Sequence, residues 1–176
     1  LKAMRRDYTY SDYMLIIEKL KKARPDVEFT SDMIVGYPGE TEDDFKESLR
    51  LMIEADYSLT YSYIYSPRPG TTSIKLDDDI PKEIKVERLA RMQDLQREIS
   101  RKQNDKLLNT VQSILVENED DHEGVFVGRT STNKIVHFQR NVKIDSEGNG
   151  DTLLGQTVNV RITRTNPFSL MGEMLS

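Results

Sequence analysis

The chain has 176 residues, 36% of them apolar, with 30 acidic against 25 basic side chains and a formal charge of −5. Two small cores suit that apolar share better than one large one, and the negative balance leaves nucleic-acid binding to a local basic patch rather than to whole-molecule attraction. There is no cysteine, so a disulfide framework, a thiolate zinc site and a Cys-ligated iron–sulfur cluster within these residues are excluded.

Residues Ser11 to Ala23 set Tyr13, Ile16, Ile17 and Leu20 at helical spacing, with Ser11 as the expected cap and Pro25 just past the end. Val27 to Val35 then reads as a buried strand that stops at the Gly36-Tyr37-Pro38-Gly39 turn. Thr41 caps a second helix whose first turn carries Glu42, Asp43 and Asp44, where negative charge suits the helix dipole, and whose expected inner face is Phe45, Leu49, Met52 and Ile53. Tyr57 to Tyr65 is a second strand, so strand, helix and strand make a right-handed parallel βαβ unit. After the loop SPRPGTTS and the acidic Asp77, Asp78 and Asp79, Pro81 opens a long helix to about Leu108, with Ile84, Leu89, Met92, Leu95 and Ile99 as its expected buried stripe. From Thr110 the pattern changes to five short strands, VQSILVE, GVFVGRT, KIVHFQ, TVNVRIT and SLMGEML, which predict a small closed barrel of oligonucleotide-binding type.

The fold class is therefore α/β plus all-β: an α/β part over residues 1–80, a connecting helix over 81–108, and a β-barrel over 109–176. No long apolar run and no basic-then-apolar leader is visible, so neither a membrane span nor secretion is expected, and the cytoplasm is the expected compartment. The chain opens at Leu1 in a charged segment, so a further upstream part of the same polypeptide is expected.

TSDMIVGYPGET, residues 30–41, is the most informative stretch. Alternation puts Asp32 and Ile34 on one face near the strand's C-terminal end, where α/β sites lie. A carboxylate there suits ribose hydroxyls and an apolar side chain suits an adenine face, while Gly36 and Gly39 allow close backbone approach. The same residues also make a plain strand, a tight turn and a capped helix. The turn has no Gly-Lys-Ser/Thr ending and no full dinucleotide spacing, which argues against a P-loop or a Rossmann site. Arg6 can grip a carboxylate with its planar fork or stand solvated. Arg68, between prolines, suits either a ligand or a salt bridge.

In the barrel, Arg129, Lys134, His137, Arg140, Arg161 and Arg164 form a candidate basic strip beside Phe138 and Phe168, the pairing needed for phosphate contact and base stacking. From Leu108 onward nine acidic residues face six basic ones, so scattered solvated charge is the competing reading. His122 and His137 form no metal-ligand cluster, and HExxH is absent.

LKAMRRDYT, SDMIVGYPGETEDDF, YSYIYSPRPGT, GRTSTNKIVHF and PFSLMGE together resemble the radical S-adenosylmethionine (SAM) methylthiotransferases across essentially the whole chain. The resemblance implies the second half of a partial (β/α) radical-SAM barrel followed by an OB-like TRAM domain. YSPRPGT and RTSTNKIVHF are most similar to the MiaB branch, which modifies an isopentenylated adenosine beside the tRNA anticodon; the branch acting on a ribosomal protein ranks below, because an acidic residue usually stands there in place of Arg68. By resemblance, Arg6 meets the carboxylate of SAM, Asp32 lies near its ribose, Ile34 packs on its adenine, and Tyr65 and Ser66 border the adenine pocket. Arg68 is a cofactor-side or substrate-side contact. Arg129, Lys134, Phe138, Arg140, Arg161 and Arg164 fall to the anticodon stem-loop. Asp7 departs from the family, which often has glycine there. The resemblance also implies two 4Fe–4S clusters held by cysteines outside this span, and hence no activity for the piece alone. A stand-alone RNA-binding module with an α/β scaffold is the alternative.

Overall fold

Helix α1, Tyr10–Ala23, begins one residue after its cap. The cap is Thr9 rather than the expected Ser11: the Thr9 hydroxyl accepts from the Asp12 N–H at 3.2 Å, and the Asp12 carboxylate accepts from the Thr9 N–H at 2.9 Å. This reciprocal box satisfies two donors that an uncapped helix leaves orphaned. Only Ile17 of α1 is buried, and Ile16 and Leu20 stay exposed, against the sequence expectation. The computed structural model describes residues 1–2, 4–119, 125–139 and 153–175.

Strand β1, Thr30–Val35, and strand β2, Leu59–Ile64, pair in parallel, with Asp32 opposite Tyr61 and Ile34 opposite Tyr63. Between them runs α2, Glu42–Ala55, capped by Thr41 through a second box with Asp44. Its C-cap is Asp56 in the left-handed region (φ +56°). Phe45, Met52 and Ala55 are sealed with Val35, Tyr57 and Met92, each large apolar side chain contributing roughly 1.5–3 kcal/mol on burial. Ile53, expected on the inner face, is exposed, because it lies one position off the stripe that Phe45 and Met52 define. Burial, and then a hydrogen bond to the Tyr13 hydroxyl at 2.7 Å, pushes the Tyr57 phenol well above its usual range.

After a 3-10 turn at Thr72–Lys75, helix α3 runs Lys82–Asp105. Of the expected stripe, Met92 is buried and Leu89, Leu95 and Ile99 pack partly buried against the core, but the same helix also buries polar residues that the apolar spacing does not announce. Lys85, Arg88, Met92, Gln96, Ser100 and Asn104 are buried along it, while Ile84 is exposed. These positions follow helical spacing as closely as the leucines do, but five of the six are polar and must find partners inside. Gln96 donates to the Tyr57 carbonyl at 3.0 Å.

The chain divides into two compact units, Leu1–Ile99 and Ser100–Ser176. The second is a closed barrel of β3 (Val111–Glu119), β4 (Val125–Thr130), β5 (Ile135–Gln139), β6 (Thr157–Thr165) and β7 (Leu170–Met174), in the order β3-β4-β5-β7-β6. Neighbouring pairs are antiparallel except β5 with β7. Inward residues alternate along each strand and, with Leu153 from the segment before β6, form the core of Ile114, Val116, Phe126, Val136, Phe138, Val158, Val160, Ile162 and Leu170. Gly128 allows the strands to close: a Cβ there would lie 2.4 Å from the Leu115 carbonyl oxygen. Bulges between Val116 and Asn118 and between Ile162 and Arg164 add the local bend that a small barrel needs.

Candidate cofactor pocket and nucleic-acid surface

One face of the β1–β2 ribbon packs on the helices; the other presents Asp32, Ile34, Tyr61 and Tyr63 to solvent, with Ile34 44% and Tyr63 54% exposed. At the C-terminal end of that open face lies a cavity of about 520 Å³, within the range of cofactor-sized sites. It brings together Arg6, Ile34, Tyr65, Ser66 and Arg68, which the sequence singles out, and adds Arg5, Tyr37 and Tyr63, which it does not. The YSYIY repeat carries the missed signal, since alternation puts Tyr61, Tyr63 and Tyr65 on one side. Asp32 shares the open face one row further from the strand end and is not part of the cavity lining.

Arg5, Arg6 and Arg68 converge here with no ion pair among the described residues, whereas Arg24, Arg50, Arg88, Arg91, Arg97 and Arg129 are each paired. Three unmatched guanidinium groups beside an Ile and several Tyr rings suit a ligand that is anionic at one end and flat and apolar at the other. Arg5 holds a left-handed backbone (φ +56°), unusual for a residue with a Cβ and a mark of a tightly determined turn.

The turn after β1 is fastened from behind. The Glu40 carboxylate accepts from the Gly36 N–H at 2.8 Å and from Arg88 Nη1 at 2.7 Å, and Arg88 also donates to the Glu40 carbonyl at 3.0 Å. Arg88 and Glu40 are nearly sealed from solvent. Gly39 N–H donates to Asp79 at 2.9 Å, and the buried Lys85 pairs with Asp78. Gly36 has φ +72°, and a Cβ there would come 2.5 Å from the Lys85 side chain. Polar groups on α3 therefore fix the turn that carries Tyr37 into the cavity, and Tyr37 meets Tyr65 edge-on at 5.2 Å.

On the barrel exterior the register sets Arg129 beside Ile135, then Val127, His137, Met171 and Arg164 in the next row, then Gln139, Glu173 and Arg161. The expected cations are thus spread over three neighbouring rows, one to a row, with Ile135, Val127, Met171 and Glu173 among them. Arg129 is bound to Glu117 at 2.9 Å and to Asn133 at 3.2 Å, and Arg161 pairs across from Glu173. Arg161 and Arg164 are exposed, and Lys134, partly buried, follows the Asn133 turn. Arg140 lies outside the described residues.

Phe138 corrects the sequence expectation. It is 1% exposed and stacked on Phe126 at 5.8 Å inside the barrel, so no base can reach its ring. Residues 136 and 138 share a face by alternation, and Val136 is core; parity alone sends Phe138 inward and His137 outward.

Comparison with known proteins agrees with this two-part layout. Residues 1–52 match the Radical SAM superfamily and residues 105–175 match the TRAM domain. The radical SAM match falls within the first unit, and the TRAM match covers the closed five-stranded barrel of the second. The chain's relatives are named tRNA-2-methylthio-N(6)-dimethylallyladenosine synthase. The protein of that name from Geotalea uraniireducens is 42% identical over 99% of this chain and 38% of its own length. Those from Geobacillus kaustophilus and Paraburkholderia phytofirmans are 41% and 40% identical, over 100% and 99% of this chain and 32% and 37% of their own lengths. The chain spans about a third of the length of the curated relatives it matches.

Proposed function

We propose that this chain is the C-terminal part of a cytoplasmic tRNA methylthiotransferase, which installs a methylthio group on C2 of N6-isopentenyladenosine next to the anticodon. The first unit supplies one wall of the SAM pocket and the TRAM barrel grips the anticodon stem-loop. The observation that carries the reading is the cavity itself, with three unpaired arginines at its rim and Ile34 and Tyr63 on its wall. The relatives' names and the TRAM match support the tRNA part. No helix among the described residues is long and apolar enough to cross a membrane.

In this reading Arg6 holds the SAM carboxylate through its fork, and Ile34 lies against the adenine with Tyr65 and Ser66 at its border. Asp32, whose carboxylate makes no hydrogen bond or ion pair among the described residues, reaches the ribose from the next row. Arg68 faces the substrate. SAM held in this pocket would supply the hydrogen-abstracting radical chemistry. This span has no thiolate to ligate either of the two 4Fe–4S clusters, so their ligands and the rest of the barrel belong to the upstream part of the polypeptide, and the piece alone is inactive. What its own residues do is bind, orient and exclude water.

The test uses the intact protein. Arg6→Ala should weaken SAM binding by about 10- to 100-fold, the scale of a lost charge-assisted hydrogen bond, and Asp32→Ala should lower SAM cleavage, both leaving tRNA binding unchanged. Unaltered SAM affinity and cleavage in both variants would defeat the pocket assignment. A methylthio group found on a ribosomal protein instead of tRNA would defeat the substrate assignment.

A further inference from the structure

The second unit contains three rings of the Phe, Tyr and Trp type, Phe126, Phe138 and Phe168. Two are sealed in its core. Phe168 is 51% exposed, on the turn between β6 and β7. One exposed phenylalanine is unremarkable by itself, but this one stands on a turn held in place from beneath. Asn104, 3% exposed on the last turn of α3, spends both amide hydrogens on the turn, donating to the Asn166 carbonyl at 2.7 Å and the Pro167 carbonyl at 3.1 Å. Asn166 N–H donates to the Ser169 carbonyl at 2.9 Å, and Thr165 Oγ1 bonds the Asp105 carboxylate. Pro167 restricts the backbone immediately before the ring.

We propose that Phe168 is the base-stacking residue of the TRAM barrel, a platform for one unpaired base of a bound RNA, and that Asn104 is its positioning residue. The inference rests on the RNA-binding reading above. An unpaired base needs a flat apolar surface close to a cation that meets the adjoining phosphate. Phe168 supplies the surface, and Arg164, exposed on the strand that leads into the same turn, supplies the cation. Because the turn is already ordered, stacking on it requires little further loss of backbone freedom, which is what makes a single ring effective. The partner is thus a single-stranded stretch or loop rather than a continuous duplex, whose bases are stacked on each other and unavailable.

The full chain is titrated with an RNA stem-loop carrying 2-aminopurine at one unpaired position, in a set that moves the probe around the loop. Wild type should bind and quench the probe at one position. Phe168→Leu, which keeps an apolar side chain and removes the ring face, should lose roughly 5- to 150-fold in affinity together with the quench, at an unchanged salt slope. Phe168→Tyr should restore both. Asn104→Ala should weaken the quench while the barrel's circular dichroism is kept. Wild-type affinity and quench in Phe168→Leu would overturn the stacking role while leaving RNA binding intact. An affinity loss with no probe signal and no rescue by tyrosine would overturn it in favour of a protein contact. If the wild-type chain binds no stem-loop at any salt, the RNA-binding reading falls, and this inference with it.

Discussion

Phe138 and Phe168 occupy the same barrel and carry opposite duties. Truncating Phe138 to alanine opens a cavity beside Phe126 and should destabilise the second unit by about 3–5 kcal/mol, read as a lower denaturation midpoint. Phe168→Ala, at a ring that is half in solvent, should stay within about 0.5 kcal/mol of wild type. Equal losses at both sites would mean that Phe168 is structural. A related single-residue test is Gly128→Ala, where the new methyl would meet a backbone oxygen that cannot swing aside; the expected loss is roughly 1–3 kcal/mol, and full retention of stability would show that β3 and β4 can separate without penalty. Which ring faces inward was readable from strand parity. Phe168, named with Phe138 as a stacking candidate, is the one of the two that is exposed, and since a turn has no periodicity to read, nothing local told the two rings apart on its side.

The helices show where local sequence speaks and where it stops. At α2 the cap was legible, because Thr41 followed by Asp44 is a reciprocal hydrogen-bonding pattern that needs no tertiary information. Thr41→Ala should lower stability by about 1 kcal/mol. The Thr41 hydroxyl and backbone N–H donate to Asp44 and hold its carboxyl below the ordinary 3.8. A lowered folded value means that this contribution is fully present above pH 4 and is lost as pH falls through the depressed value. Asp44→Asn should therefore flatten part of the acid limb below about pH 4, and an unchanged acid limb would show that the box does not form in solution. At α3 the apolar spacing was right for Leu89, Met92, Leu95 and Ile99 and wrong for Ile84. What the spacing did not show is the adjoining row of buried polar groups, whose partners, Glu40, Asp78 and the turn at Asn166, lie 7 to 62 residues away in the chain. Periodicity sees which residues share a face; it does not see which distant groups will satisfy a buried arginine.

Across the whole molecule, composition correctly suggested two cores, since neither unit gathers enough apolar side chains to fill a larger one. It also limits how the protein can hold a polyanion. With a net charge of −5 and Arg129, Arg161 and Arg164 as the main cations of the strip, stem-loop affinity should fall with salt at a log–log slope of about −2 to −3. Replacing Arg161 or Arg164 by alanine should reduce that slope by about one each. A slope near −6 would mean that a different and larger basic surface carries the RNA. The pocket was legible only in part. Arg6, Ile34 and Arg68 stand out by residue type and place, Tyr65 and Ser66 by resemblance, and Tyr63 could have been read from the alternation of YSYIY, whereas Arg5 joins the lining through a backbone turn that emerges only on folding.

The two β-sheets end differently at their borders. The barrel is rolled shut, each of its five strands bonded on both sides, so it offers a neighbouring chain no row of spare amides to zip onto. The β1–β2 ribbon keeps two such rows among the described residues. In a concentrated solution of this span, self-association should begin at the ribbon, and a tag, fusion or crystal-contact design belongs on the barrel, whose borders are closed.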